Sequence, residues 1–376
     1  MTNVVVCLVG TRPECVKMAP VISALRARGD MEVRVVGTGQ HRELTRQTLS
    51  IFGIELDIDL EVMRPDQSLA GLTARIFERL DPVLERERPR LVLAQGDTTS
   101  VMVAALASFY RAIPFGHVEA GLRTHSLRNP FPEELNRVIA GRVADLHFAP
   151  TAQARQNLLD EKIPDAIIHV TGNTVIDALL DVTSRNLVCD YPRTKGRKLV
   201  LVTAHRRENF GAPMQRICEA LRRLHDRLPD AEFVYPVHPN PNVRKTVEPA
   251  LSGLERFHLI DPVDYEAMAG LLKSAYIVLT DSGGIQEEAP ALGKPVLVLR
   301  EETERPEAIA AGVAQLVGTQ TDHIVETVSG IYLDEASYGR MARGVSPYGD
   351  GKAAGRIATL CAGLLGQRRA GTKAGK

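Results

Sequence analysis

The stretch VVVCLVGTRPECVKMAPVISAL, residues 4–25, sets how the rest of the chain is read. An unbroken apolar run reads as a buried strand, Gly10 opens a turn, and Met18, Val21, Ile22 and Leu25 then recur at helical spacing. The same succession returns at RLVLAQGD from Arg90, PFGHVEAG from Pro114, KLVLVTAH from Lys198, EFVYPVHP from Glu232, YIVLTDSGG from Tyr276 and PVLVLRE from Pro295. Amphipathic stretches separate these runs, as with Leu69, Leu72, Ile76, Leu80 and Val83. Repeated strand–helix units predict an α/β fold with parallel sheets. In such sheets ligands lie beyond the carboxyl ends of the strands, so the polar residues that close these runs are the candidates for chemistry.

At 376 residues the chain is long enough for two domains. The predicted architecture is a pair of Rossmann-like domains with parallel sheets facing across a cleft. The first covers residues 1–172 and the second 173–350, with the hinge between Thr171 and Arg197. Residues 351–366 read as a helix returning to the first domain, with Ile357, Leu360 and Leu364 on its apolar face, and 367–376 as a flexible tail. Forty-six Lys and Arg balance forty-six Asp and Glu, which argues against a broad basic surface for nucleic acid or membrane. No apolar run reaches the ~20 residues of a membrane span. MTNVVVCLVG lacks a basic segment ahead of its apolar run, so it is read as a strand and the protein is expected in the cytoplasm. Five scattered cysteines, Cys7, Cys15, Cys189, Cys218 and Cys361, without CxxC spacing predict reduced core thiols and no zinc site.

Two glycine turns lead from strand to helix. Gly10-Thr11-Arg12-Pro13-Glu14, followed by Lys17, offers a helix start and two cations to an anion. Thr280-Asp281-Ser282-Gly283-Gly284 offers backbone N–H groups at Ser282 to Gly284 for a diphosphate, with Glu288 one turn on for ribose hydroxyls. Either turn can also be a plain capped helix start. A dinucleotide fingerprint is missing. Gly37-Thr38-Gly39 has Arg42 in the third position, and Gly349-Asp350-Gly351 follows Ser346-Pro347-Tyr348, which is not a strand. No redox cofactor and no metal are expected.

Three acids close strands in the first half: Asp97 in Gln95-Gly96-Asp97-Thr98-Thr99, Glu119 in His117-Val118-Glu119-Ala120-Gly121, and Glu133, beside Glu134, in Pro130-Phe131-Pro132-Glu133-Glu134. Acids that converge can exchange protons when their environments separate their pKa values. Asp97 can equally cap the helix starting near Thr99, and Glu133 and Glu134 can serve a helix amino terminus. Glu119 has no such structural role open to it. In the second half, Thr203-Ala204-His205-Arg206-Arg207-Glu208-Asn209 sets a histidine and two arginines at a strand end, able to bind phosphate or protonate a leaving group. His238 in Pro236-Val237-His238-Pro239-Asn240 repeats the pattern more weakly.

Taken in order, GTRPECVKMAP, QGDTTS, GHVEAGLRT, PFPEELNR, TGNTVIDALL, TAHRRENFG, YPVHPNPNVR, LTDSGGIQEEAPALGKPVLVLR and ETERPEA resemble the non-hydrolysing UDP-N-acetylglucosamine 2-epimerases, from Gly10 to about Gly355. The resemblance implies a glycosyltransferase-B-like fold, a homodimer and interconversion of UDP-N-acetylglucosamine with UDP-N-acetylmannosamine. The family reaction is anti elimination of UDP to 2-acetamidoglucal followed by return of UDP. By the same resemblance Asp97, Glu119 and Glu133 are acid/base carboxylates, and His205 acts at the diphosphate or as acid for the leaving group. Arg12, Lys17, Ser282, Gly283, Gly284, Glu288 and Arg305 match nucleotide-holding positions.

Some positions depart from the family pattern. Val263 stands where relatives often carry Gln, and Met268 where they carry an aromatic residue, both near the uracil. Bacterial relatives can bind a second UDP-N-acetylglucosamine as activator. Gln40, Arg206 and His238 match that site, but Glu43 replaces a common Gln and Asp66 a frequent Arg. Added acids repel a diphosphate, so activation is expected to be weak or absent. The competing readings are a hydrolysing epimerase that releases N-acetylmannosamine, a glycosyltransferase of the same architecture, and a non-catalytic UDP-sugar binder.

Overall fold

The computed structural model describes residues 3–39, 42–185, 194 and 196–374. Every apolar run singled out from the sequence forms a strand. The first sheet holds β1 (Asn3–Val9), β2 (Met31–Gly37), β3 (Ile58–Asp59), β4 (Leu91–Gln95), β5 (Phe115–Val118), β6 (Leu146–Ala149) and β7 (Ile168–Val170), in the order β3-β2-β1-β4-β5-β6-β7. The second holds β8 (Lys198–Thr203), β9 (Ala231–Pro236), β10 (Phe257–Ile260), β11 (Ala275–Thr280), β12 (Val296–Val298) and β13 (Ala314–Leu316), in the order β10-β9-β8-β11-β12-β13. All described strand pairs in both sheets are parallel. The strand order reverses between β1 and β4 and again between β8 and β11, the points at which open α/β sheets bind ligands.

Period-two alternation explains why β1 is apolar throughout. Val5, Cys7 and Val9 enter one core with the helix Arg12–Ala27, while Val6 and Leu8 enter a second core with the helices Leu69–Glu87 and Thr99–Tyr110. The helical stripes pack as read, except that Leu69, the first residue after the Ser68 cap, is largely exposed.

The chain forms two compact units, one of Met1–Ala178 with Tyr348–Lys376 and the other of Leu179–Pro347. The sequence reading divided it after 172 and after 350. The structural boundary, between Ala178 and Leu179, instead falls inside the helix Thr174–Ser184, so the chain passes from one unit to the next within regular structure. Part of the stretch assigned as hinge, with Cys189, lies outside the described residues. The last helix, Ala353–Ala374, runs beyond the expected end at 366, and the polar stretch taken for a tail is rich in residues that favour helix. Asp177 caps its start by accepting from the Ala353 and Ala354 N–H groups at 3.2 and 2.8 Å. Its buried face is Ala354, Ile357, Ala358, Cys361 and Leu365, while Leu360 and Leu364 flank it half-buried. Among the described residues, no helix is long and apolar enough to cross a membrane and no group of His, Cys, Asp and Glu could hold a metal ion.

Candidate active site

The turn after β1 differs from the expected anion cradle. Glu14 is buried, and its Oε2 accepts the Gly10 and Thr11 N–H groups at 2.6 and 2.8 Å, while Oε1 accepts the Thr98 hydroxyl at 2.6 Å. Thr11 and Glu14 thus form a capping box whose carboxylate already fills the turn. Burial pushes the Glu14 carboxyl above its ordinary range, against these hydrogen bonds. What remains for a ligand at this turn is side chain: Arg12, half-buried at the helix start, and Lys17. A Cβ on Gly10 would meet Thr38 Oγ1 at 2.5 Å, so this tight approach needs glycine.

Lys17 reaches an acid instead of an empty anion site. Its Nζ lies 2.6 Å from Glu119 Oε1, which also accepts Asn173 Nδ2 at 3.0 Å, while Gln95 Nε2 donates to Glu119 Oε2. Glu119 is buried and has a left-handed backbone, φ +62°, a conformation costing a non-glycine residue roughly 1–2 kcal/mol. Three donors on its carboxylate hold the side chain in place against that cost. Asn173 is itself fixed, its Oδ1 accepting from the Val175 N–H at 3.1 Å and its own N–H donating to the Tyr348 carbonyl at 2.6 Å.

Asp97 is not a helix cap. Thr98 takes that role at the helix Thr99–Tyr110, accepting from the Val101 N–H. The Asp97 carboxylate is left beside Arg137, with Oδ2 at 3.5 Å from Nη2, and its carbonyl accepts Asn136 Nδ2 at 2.9 Å. Burial is the main cause that pushes its carboxyl above the ordinary range; Arg137 opposes it, and the charges of Glu119 and Glu133 add to it. The three acids therefore share one electrostatic neighbourhood in the first unit.

Glu133 and Glu134 part company at the start of the helix Glu133–Val143. Glu134 is buried, accepts the Thr124 and His125 N–H groups at 3.0–3.1 Å and pairs with Arg137 Nε at 3.1 Å. It pins the preceding loop, while Glu133 stays half-buried. Gln95, Asn173, Arg137 and Glu14 all touch expected residues and were not singled out from the sequence. Each sits within a quoted motif, but amides and arginines there carry no pattern that reveals their partners.

The second unit gathers the other set at the switch between β8 and β11. His205 stacks on His238 with ring centroids 5.2 Å apart and planes at 12°. Asp281 is fully buried and ties the two strand ends together, its Oδ2 accepting the His205 and Arg206 N–H groups at 2.8 Å each and Asn209 Nδ2 at 2.9 Å. Burial pushes the His205 imidazole below its ordinary range, opposed by Asp281 and reinforced by His238 and Arg206.

Gly283 lies between two guanidiniums. A Cβ there would be 3.5 Å from Arg206 Nη2 and 3.7 Å from Arg305 Nη2. Arg305 is anchored by Glu287. The Ser282 N–H, expected to face a diphosphate, is taken by Thr280 Oγ1 at 2.9 Å, so the first helical N–H groups on offer are those of Gly283 and Gly284. Glu288 is buried and accepts the Tyr265 hydroxyl at 3.0 Å. Arg206 and His238, expected at an activator site, are thus neighbours of His205 and Gly283. Gln40 lies outside the described residues, and Glu43 and Asp66 are exposed.

Each sheet, of seven strands and of six, reverses its order in the way of nucleotide-binding α/β folds, and candidate polar residues follow the strands beside each reversal, the acids in the first unit and the basic glycine turn in the second. Residues 23–362 match the family model described as UDP-N-acetylglucosamine 2-epimerase. The UDP-N-acetylglucosamine 2-epimerase of Yersinia pestis is 51% identical over 358 residues, covering 93% of this chain and 95% of that protein. The Escherichia coli K12 enzyme of the same name is 49% identical, with 93% and 95% covered. The crystal structure of the Neisseria meningitidis UDP-GlcNAc 2-epimerase bound to UDP-GlcNAc superposes with a TM-score of 0.86 at 46% identity, covering 95% of this chain and 99% of that one. The chain belongs to the UDP-N-acetylglucosamine 2-epimerase family.

Proposed function

We propose that this protein interconverts UDP-N-acetylglucosamine and UDP-N-acetylmannosamine by anti elimination and re-addition of UDP, without releasing the free sugar. The observation that carries this reading is the contrast among the acids of the first unit: Glu119 is ion-paired with Lys17, while burial pushes the Asp97 carboxyl above its ordinary range, against Arg137. Two carboxyl groups in such different surroundings suit a reaction that removes a proton and returns one.

The C2 proton of the sugar is not acidic by itself. As the C1–O bond breaks, its electron pair goes to the β-phosphate oxygen and positive charge grows at C1, which acidifies the C2 proton. A carboxylate then takes that proton and the C2–H pair becomes the C1=C2 bond of 2-acetamidoglucal. Glu119 is assigned as the base, and Asp97, with Glu133, as the acid that returns a proton to the other face of C2. UDP adds back at C1, so atoms and charge balance with no oxidant. His205, Arg206, Arg305 and the Gly283 and Gly284 N–H groups stabilise the departing diphosphate. Arg12 and Lys17 supply further positive charge, Ser282 and Glu288 hold the nucleotide, and no redox cofactor or metal takes part.

The reading includes a homodimer, for which exposed Phe109 (62%) and Tyr110 (73%) offer an apolar surface, and a cytoplasmic location, which suits free buried thiols. Activation by a second UDP-N-acetylglucosamine is weak, so the reaction starting from UDP-N-acetylmannosamine runs without it. The test is proton NMR of the protein with UDP-N-acetylglucosamine in deuterated water. UDP-N-acetylmannosamine carrying deuterium at C2 is expected; accumulation of free N-acetylmannosamine would instead mark a hydrolysing enzyme, and no turnover at all would point to a transferase or a binding protein.

A further inference from the structure

We propose that Asp281 is the positioning residue of His205, fixing the tautomer and charge of an imidazole that works at the diphosphate; this rests on the role given to His205 above. Asp281 follows β11 and its side chain is fully buried. Oδ2 is saturated by three donors from the segment 205–209. Oδ1 is also buried, makes no hydrogen bond, and lies 3.6 Å from His205 Nδ1. A carboxylate oxygen withdrawn from water and facing a ring nitrogen is an incomplete pair, a few tenths of an ångström beyond hydrogen-bond length.

The other neighbours fix the ring without competing for Nδ1. His238 stacks on its face, and His238 Nδ1 is engaged by the Asn240 N–H at 3.2 Å. Arg206 follows in the chain with its guanidinium toward Gly283, where Arg305 also sits. Among the described residues, the charged and titratable groups acting on His205 are Asp281, His238 and Arg206, and of these Asp281 is the anion. Facing an anion, the neutral imidazole carries its proton on Nδ1 and leaves Nε2 as the working nitrogen. When Nε2 takes up a proton from solvent, the imidazolium donates it as a hydrogen bond to the leaving diphosphate, and the same carboxylate stabilises that cation. Burial, His238 and Arg206 oppose that charge, which gives Asp281 something to correct.

The test uses the full-length protein labelled with ¹⁵N-histidine, with the His205 signal assigned by His205→Gln. In the wild type above the titration midpoint, the Nδ1–H tautomer is expected; a dominant Nε2–H tautomer overturns the proposal without any variant. Asp281→Asn keeps a carbonyl for the backbone donors but removes the charge. It is expected to lower the His205 midpoint, shift the tautomer toward Nε2–H and reduce kcat on the order of tenfold or more, with a smaller change in KM. Loss of activity with an unmoved His205 midpoint and tautomer would mean that Asp281 merely holds the loop, and overturns the proposal. The NMR readout needs no turnover, so it stands apart from the test of the epimerase reading.

Discussion

Glu119 and Glu134 are both buried acids, yet their surroundings assign them opposite work. Glu134 spends its oxygens on two backbone N–H groups and Arg137, whereas Glu119 is held by side chains, one of them the Lys17 ammonium. Glu119→Gln is expected to cut C2 deuterium exchange by about 10²-fold or more while leaving UDP affinity within a few-fold, as removal of an acid/base group does. Glu134→Ala strands two buried N–H groups, so it is expected to cost about 1–3 kcal/mol in denaturant unfolding. Exchange unchanged in Glu119→Gln would remove it from the mechanism. Asp97, Glu119 and His205 stand out in the sequence because each follows an apolar run, whereas Glu133, expected at a strand end, opens the helix Glu133–Val143. The sequence is silent on Gln95, Asn173 and Arg137, because the contacts that give them meaning span 24, 54 and 40 positions.

Strands and their ends were the most legible elements. A strand buried on both faces must be apolar at every position, and that run is visible without a partner. The turns were less so. The amino-terminal glycine turn has the residues of an anion site, but Glu14 supplies the anion from within, and only the fold shows which way that side chain bends. Gly121 marks another hidden constraint: with φ +89° and a would-be Cβ only 2.1 Å from the Ala154 carbonyl oxygen, Gly121→Ala is expected to lower the unfolding midpoint markedly.

β5 and β6 also set His117 opposite His147, both buried, with burial pushing them down to about 4 and about 3. The unfolded chain binds these protons near 6.5 and the folded one does not, so their contribution is complete above 6.5 and fades as pH falls through the folded values. Urea unfolding followed from neutral pH down should show stability falling below about 6.5, by at most ~1.4 kcal/mol per pH unit for each histidine. A flat profile over that range would mean that these rings are hydrated in the native state.

At the scale of the whole molecule, the division into two sheets was readable from the repeat of strand–helix units, while the path of the chain was not. The first unit is discontinuous, closed by the helix Ala353–Ala374 against Arg12–Ala27, and the face it uses, Ile357, Cys361 and Leu365, follows a fourfold step that Leu360 and Leu364 obscure in the sequence. Ile357→Ala is expected to cost about 2–5 kcal/mol, read by denaturant unfolding. The acids belong to the first unit and the basic glycine turn to the second.

The central claim of the proposed reaction is that the C1–O bond of the substrate breaks and reforms. UDP-N-acetylglucosamine labelled with ¹⁸O in the oxygen bridging C1 and the β-phosphorus tests this directly by ³¹P NMR. Elimination frees the β-phosphate to rotate before UDP returns, so the label is expected to scramble into the non-bridging positions alongside deuterium incorporation at C2. Epimerisation with the label retained in the bridge would contradict the account.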